Sequence, residues 1–559
     1  MKSILSIVSI IVIFISCKRD KEVKAIEEVR VLQPEVVWKA YDETTDLEAT
    51  QNLEKKRMHL KLINSRIRDK NDIWNHLNEE LKYFSEEDHM RMKALILEKD
   101  IPSIQQSIQE GKLSYEDLVK FYIYRIRKFE SDNNLSLNSV ISLNPKVIAQ
   151  ARHLDSLGPS GVDINSIYGM PILVKDNIGV KDMPTTAGAV VFKDNITENA
   201  FIISKLKDKN ALILGKSNLS EWAYFFCEGC PVGYSAIGGQ TLNPYGRLIF
   251  ETGGSSSGSG VAVAANFCVA AIGTETSGSI LSPSSQNSVV GLKPTIGVLS
   301  RSGIVPISST LDTPGPMTKS SMDAAILFSA MLGKDVMDPS SILMGGDFIS
   351  ATTQGTITKM KFGVIKELLV DSLYANAVEQ IKNNGGVIIE ISPKDEELSG
   401  FLQVLNFDMK RDLPKYIKKY ANTIKEIKTV EDIVSYNLLD TINRMPYGQG
   451  LLEGIVKDET SLREMVQIKE DLQTKARAYF DTSMKQYNLH AILSINNYHA
   501  GYAAMAKYPA LTVPMGYDTD GEPKGLTFIT KPFSEALLLK LGYAYEQISN
   551  KRKAPEKYR

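Results

Sequence analysis

The hydrophobic pattern along the chain changes period several times, and each change predicts an element. Residues 101–130 place Leu113, Leu118, Phe121, Tyr122, Ile126 and Phe129 at helical spacing, with Ser114 positioned as an N-cap ahead of Asp117. Phe362–Ile365 and Val387–Ile391 read as strands around a helical segment, Leu373–Lys382, that Asn383-Asn384-Gly385-Gly386 ends. This βαβ order predicts an α/β fold, a sheet covered by helices. Residues 261–272 are almost wholly apolar and small, which predicts an element, helix or strand, buried on all sides. A shorter apolar run, Ile172-Leu173-Val174, ends at Lys175. Residues 400–485 are charged and helical in pattern. Residues 18–95 are also charged, with a helical look around Asn52–Arg68, and are expected to form a tether and an added helical layer.

With 559 residues, 43% of them hydrophobic, the chain can bury a large core. Lys plus Arg number 65 against 66 Asp plus Glu, so no long-range field attracts a polyanion and no nucleic-acid partner is expected. The sequence contains no HExxH, EF-hand loop or paired CxxC motif; no metal or other cofactor is expected.

Candidate chemistry concentrates immediately before and after the buried run. Gly253-Gly254-Ser255-Ser256-Ser257-Gly258-Ser259-Gly260 precedes it and Gly273-Thr274-Glu275-Thr276-Ser277-Gly278-Ser279-Ile280 follows. A Gly/Ser stretch can be a flexible linker, but one that feeds straight into a buried element is a constructed turn. The Gly-Lys-Ser/Thr ending of a phosphate loop is missing, which leaves acyl chemistry or a tight structural turn. Acyl chemistry needs a nucleophile, a base and oxyanion donors. None of the six histidines adjoins the serine-rich block, although partners need only meet in space. Lys175 is a second candidate base, because a lysine becomes one when burial disfavours its charge. The competing reading is a strand-end lysine that reaches water or pairs with Asp176.

Lys175, Ser255 and Ser279 resemble the Ser-cisSer-Lys triad of the amidase signature family, and the two serines stand 24 positions apart, as in that family. Further blocks resemble the family in order: Tyr168–Gly188, Gly233–Tyr245, Val289–Thr295, Leu311–Thr318 and Tyr508–Phe533. The likeness extends over roughly residues 100–555. It implies a large mixed β-sheet covered by helices on both faces. It also implies that Ser279 attacks an amide carbonyl, and that Ser255, on a cis peptide bond, relays protons between Ser279 and a neutral Lys175. The backbone N–H groups of Thr276, Ser277, Gly278 and Ser279 match the oxyanion stretch. Ser277 stands where the family often has Gly, and Glu275 where it often has Asp. On this basis residues 96–559 form the amidase signature domain, with a variable helical insertion at about 400–485 expected to shape the substrate pocket.

At the N-terminus an apolar run, Ile4–Ile15, precedes Ser16-Cys17 and then Lys18-Arg19-Asp20. Twelve residues are too few to span a bilayer. They predict a secretory signal over residues 1–17, with Cys17 lipidated as in a lipobox; ordinary signal cleavage and an uncleaved anchor are the alternatives. An exported, membrane-anchored lipoprotein of the cell envelope is therefore expected. In an oxidising compartment Cys227 and Cys230 could pair, or they could line a pocket as thiols; Cys268 reads as a core residue. The function expected is hydrolysis of a carboxamide C–N bond in a small-molecule or peptide amide. Two rivals are a glutamine-amidase subunit of an amidotransferase and a catalytically silent amide-binding lipoprotein.

Overall fold

In the computed structural model, residues 31–421 and 424–559 are described; the expected signal segment, residues 1–17, and its Cys17 lie outside them. The strands are β1 (Val140–Leu143), β2 (Pro171–Lys175), β3 (Leu212–Ser217), β4 (Tyr234–Ser235), β5 (Gly239–Gln240), β6 (Ala270–Glu275) and β7 (Val290–Lys293). They continue with β8 (Thr313–Thr318), β9 (Lys361–Ile365), β10 (Val387–Ile391), β11 (Ala491–Ile495), β12 (Ala510–Tyr517) and β13 (Pro523–Ile529). Eleven of them form one mixed sheet in the order β1-β3-β2-β6-β8-β7-β12-β13-β11-β9-β10, and β4 pairs with β5 separately. β2 runs parallel to both β3 and β6, and β9 runs parallel to both β10 and β11; β6-β8, β8-β7, β7-β12, β12-β13 and β13-β11 are antiparallel.

Both faces of this sheet are covered. Along β11, Ala491, Leu493 and Ile495 enter one apolar cluster and Ile492 the other, which is the period-2 alternation of a strand buried on both sides. The first cluster takes in Phe121 and Tyr122 from the helix Tyr115–Glu130 and Leu538 and Tyr545 from the helix Glu535–Ser549. The second takes in Val404, Leu413, Leu472 and Phe480 from the helices Phe401–Tyr420 and Leu462–Tyr487, so the 400–485 region is helical and covers that face. The expected α/β architecture is present.

Local expectations fared unevenly. The βαβ unit appears as β9, the helix Ser372–Asn383 and β10 in parallel register. Ser114 Oγ accepts from Asp117 N–H at 3.0 Å, as an N-cap should, but the 101–130 pattern forms two helices, Ile101–Gln109 and Tyr115–Glu130. Gly111, at φ +69°, lies in the break between them. Around Asn52–Arg68 the expected helix is absent: only a 3₁₀ turn, Lys56–Met58, forms. Met58, Leu60 and Leu62 are all buried there, a two-residue alternation that docks an extended segment on the body of the protein.

Candidate active site

The buried run resolves into both of its alternatives. The helix Ser257–Ala264 is followed by a turn at Asn266, at φ +57°, and then by β6, all of it buried. Small residues let this helix lie close to its neighbours; a Cβ on Gly258 would sit 2.4 Å from the Ser139 carbonyl oxygen. The serine loop at its start is thereby pressed against the C-terminal ends of the parallel strands β2 and β6, the edge at which open α/β sheets place their sites. Lys175 is the last residue of β2 and Glu275 the last of β6.

Lys175 is fully buried. Its Nζ lies 2.8 Å from Ser255 Oγ, 2.9 Å from Thr274 Oγ1 and 3.2 Å from the Thr274 carbonyl oxygen. Asn177 Nδ2 donates to the same Thr274 hydroxyl at 3.0 Å. Every close partner of the amine is neutral. Asp176, the neighbour that could have paired with it, is engaged elsewhere: its Oδ1 lies 3.0 Å from Lys216 Nζ, with both side chains fully buried, and its Oδ2 accepts from Thr186. Lys175 thus carries the desolvation of its site without a contacting counter-charge. Burial lowers its pKa to about 7, against a smaller upward pull from the more distant Asp312 and Glu275 carboxylates. Half or more of such a lysine is neutral at and above that pH.

Ser255 is also fully buried, and the Gly254–Ser255 peptide bond is cis. Ser279 is half-buried on a separate turn, which the Ser256 N–H reaches by donating to the Ser279 carbonyl at 3.2 Å. Among the described residues the Ser279 side chain makes no hydrogen bond; the structure joins Lys175 to Ser255 and brings Ser279 to the same loop through the backbone.

The turn itself is built for open donors. Glu275 Oε2 accepts from the N–H groups of Ile280, at 2.7 Å, and Leu281, at 3.0 Å, so the carboxylate that replaces the more frequent Asp anchors the far side of the turn. The N–H groups of Ser277, Gly278 and Ser279 donate to no acceptor among the described residues. Thr276 is held from its side chain, Oγ1 donating to Asp312 Oδ1 at 2.6 Å, while Asp312 Oδ2 accepts from Ile307 and Ser308 N–H, each at 2.9 Å. Burial raises the Asp312 pKa to about 6. Only Gly278 in this turn takes a positive φ, +85°, so Ser277 does not need the conformational freedom of Gly. A Cβ on Gly278 would also approach Asn497 Nδ2 to 2.8 Å. Gly278→Ala is therefore expected to lower kcat/KM about 100-fold by displacing the donors, with a change of only about 1–2 kcal/mol in unfolding free energy, measured by steady-state kinetics and denaturation.

Among the described residues no histidine hydrogen-bonds to Ser255 or Ser279. His499 Nδ1 lies 2.6 Å from Ser494 Oγ, and His89, His490 and His59 face Arg125 with Glu86, the Lys361 N–H and the Leu53 carbonyl. Burial lowers the pKa of His499 to about 4. Cys227 and Cys230 are disulfide-bonded, and Cys268 is a buried free thiol. The loop that carries the disulfide touches the site: Ser220 N–H donates to the Ser255 carbonyl at 3.0 Å, and the Phe226 carbonyl accepts from Leu451 N–H at 3.2 Å in the helical insertion. Thr274, Lys216 and Asn497 belong to this environment, and the sequence reading singled out none of them. Lys216 and Asn497 carry no local signal, whereas Thr274 sits in the quoted turn.

Comparison with known proteins is consistent with this geometry. The family model described as Amidase matches residues 117–539. A relative from Arabidopsis thaliana, named a probable amidase, is 32% identical over 488 residues, covering 82% of this chain and 92% of its own. The crystal structure of an amidase family protein from Bacillus anthracis superposes with a TM-score of 0.84 at 35% identity, covering 88% of this chain and 99% of that one. Native peptide amidase from Stenotrophomonas maltophilia gives 0.77 at 33% identity, over 82% and 99%. The chain belongs to the amidase signature family of amide hydrolases.

Proposed function

We propose that this protein hydrolyses a carboxamide C–N bond through a serine acyl-enzyme, with Ser279 as nucleophile, Ser255 as relay and neutral Lys175 as base. The observation that carries the reading is the buried Lys175 amine, 2.8 Å from Ser255 Oγ and surrounded by neutral partners. In the first step Ser279 Oγ bonds to the amide carbon while its proton passes to Ser255 and the Ser255 proton passes to Lys175. A turn of the Ser279 side chain toward Ser255 completes that chain of hydroxyls; catalytic hydrogen bonds commonly tighten only with substrate bound. The oxyanion is received by the open N–H groups of the 276–279 turn. On collapse the C–N bond breaks and the proton returns through Ser255 to the departing nitrogen, leaving ammonia or an amine. Water then attacks the acyl carbon with the same relay as base, releasing the carboxylic acid and free Ser279.

Peptides ending in a C-terminal carboxamide are the substrate class we favour, on the likeness to a peptide amidase over nearly all of that protein's length. A panel of C-terminally amidated peptides, fatty-acid amides and small aryl amides, read by ammonia or amine release from the purified protein alone, tests this. Release from amidated peptides without any added protein is expected. Turnover that requires partner subunits would replace this reading with an amidotransferase subunit.

A further inference from the structure

The carboxamide of Asn497 faces the nucleophile turn and has no hydrogen-bond partner among the described residues. Its Nδ2 stands 2.8 Å from where a Gly278 Cβ would be, and the neighbouring Ala500 Cβ stands 3.4 Å from the same point. The backbone on either side is pinned. Asn496, in the left-handed region at φ +47°, donates its N–H to the Gly525 carbonyl at 2.9 Å and accepts the Gly525 N–H on Oδ1 at 2.8 Å. Ala500 N–H donates to the Asn497 carbonyl at 3.0 Å, and His499, two residues on, is tied to Ser494 and stacked on Tyr479. The Asn497 side chain itself is half-buried and makes no hydrogen bond among the described residues. A carboxamide at the edge of the turn, on backbone pinned at both sides and with no protein partner among the described residues, is available to a ligand.

We infer that Asn497 is a specificity-determining residue that accepts a hydrogen bond from the N–H of the scissile carboxamide, so that the site prefers primary amides to esters. This inference rests on the hydrolase reading above. With the substrate carbonyl in the open N–H groups of the turn, the –NH2 group is the remaining polar part of the reacting unit. Rotating the Asn497 amide about its last bond presents Oδ1 in place of Nδ2, an acceptor matched to an amide N–H and to nothing on an ester oxygen. Around the Gly278 position the only polar atom of the three nearest is the Asn497 carboxamide nitrogen, the others being Asn497 Cβ and Ala500 Cβ; near Gly501, Leu398 and the Ser277 hydroxyl stand 3.6 and 4.0 Å from where a Cβ would be.

The test compares a peptide C-terminal amide with the methyl ester of the same peptide, and follows fluorophosphonate labelling as a measure of the nucleophile. In Asn497→Ala, kcat/KM for the amide is expected to fall about threefold to tenfold, the loss of one hydrogen bond, while the ester and the labelling rate stay within about twofold of wild type. Equal losses on amide and ester, or no loss on either, overturn the inference while leaving the hydrolase reading intact. Should Asn497→Ala lose labelling through misfolding, Asn497→Asp decides: it keeps an acceptor oxygen in place and is expected to hold the wild-type amide-to-ester ratio, and a collapse of that ratio overturns the acceptor role. A wild-type protein that neither labels nor turns over removes the hydrolase reading, and this inference with it.

Discussion

Replacing Lys175 by methionine is expected to lower amide turnover by about 10²–10⁴-fold, the usual contribution of a positioned base, while making the protein more stable at neutral pH. The stability gain follows from the same burial that creates the base. An unfolded lysine titrates near 10.5 and the folded one at about 7. Between those values the unfolded chain binds a proton that the folded chain does not, so the Lys175 contribution to stability rises with pH across that window. Near pH 7 the buried amine costs a few kcal/mol, and at lower pH the cost is full, because the folded state must then bury the charge. Methionine removes that cost but leaves Ser255 and Thr274 without the amine, which offsets part of the gain; about 1–3 kcal/mol should remain in urea denaturation at pH 7. The difference should shrink as pH approaches 10. In the wild type, kcat/KM should fall tenfold per unit on acidification below about pH 7, as the base takes up its proton. A flat acid limb would remove Lys175 from the relay.

Ser279→Ala is expected to abolish turnover, by about 10⁴-fold or more, because the three groups act as a unit and the nucleophile has no substitute. Ser255→Ala should come close to the same loss. It leaves the Lys175 amine fully buried with its two Thr274 contacts and no hydroxyl bridge toward the turn. The two variants differ in one respect. Ser255→Ala keeps the Ser279 hydroxyl and should react slowly with a fluorophosphonate, whereas Ser279→Ala should not react at all. Neither substitution deletes a core apolar group, so both proteins should keep their far-ultraviolet spectra.

How much of this was legible in the sequence depends on whether the controlling interaction is local. Ser114 and its Asp117 partner, the βαβ unit at 361–391 and the turn glycines are set by neighbours in the chain, and they appear where the pattern puts them. The run 261–272 could not be assigned from periodicity, since an all-apolar segment has no face; it became a helix, a turn and a strand because its second half pairs beside β2 as β6. Around Asn52–Arg68 a helical composition lost to tertiary burial of alternate residues. The charge state of Lys175 was the least legible feature. From sequence, Asp176 is its obvious partner, and only the arrival of Lys216 from β3 takes that carboxylate away. Asn497 is hidden for the same reason, being 218 positions from the turn it faces.

Mapping the fluorophosphonate adduct by peptide mass spectrometry tests the central claim most directly. The phosphoryl group is expected on the peptide containing Ser279, with the rate of its formation falling below about pH 7. An adduct on Ser255, Ser256 or any residue outside the 276–279 turn, or no adduct in protein that is turning over amide, would contradict it.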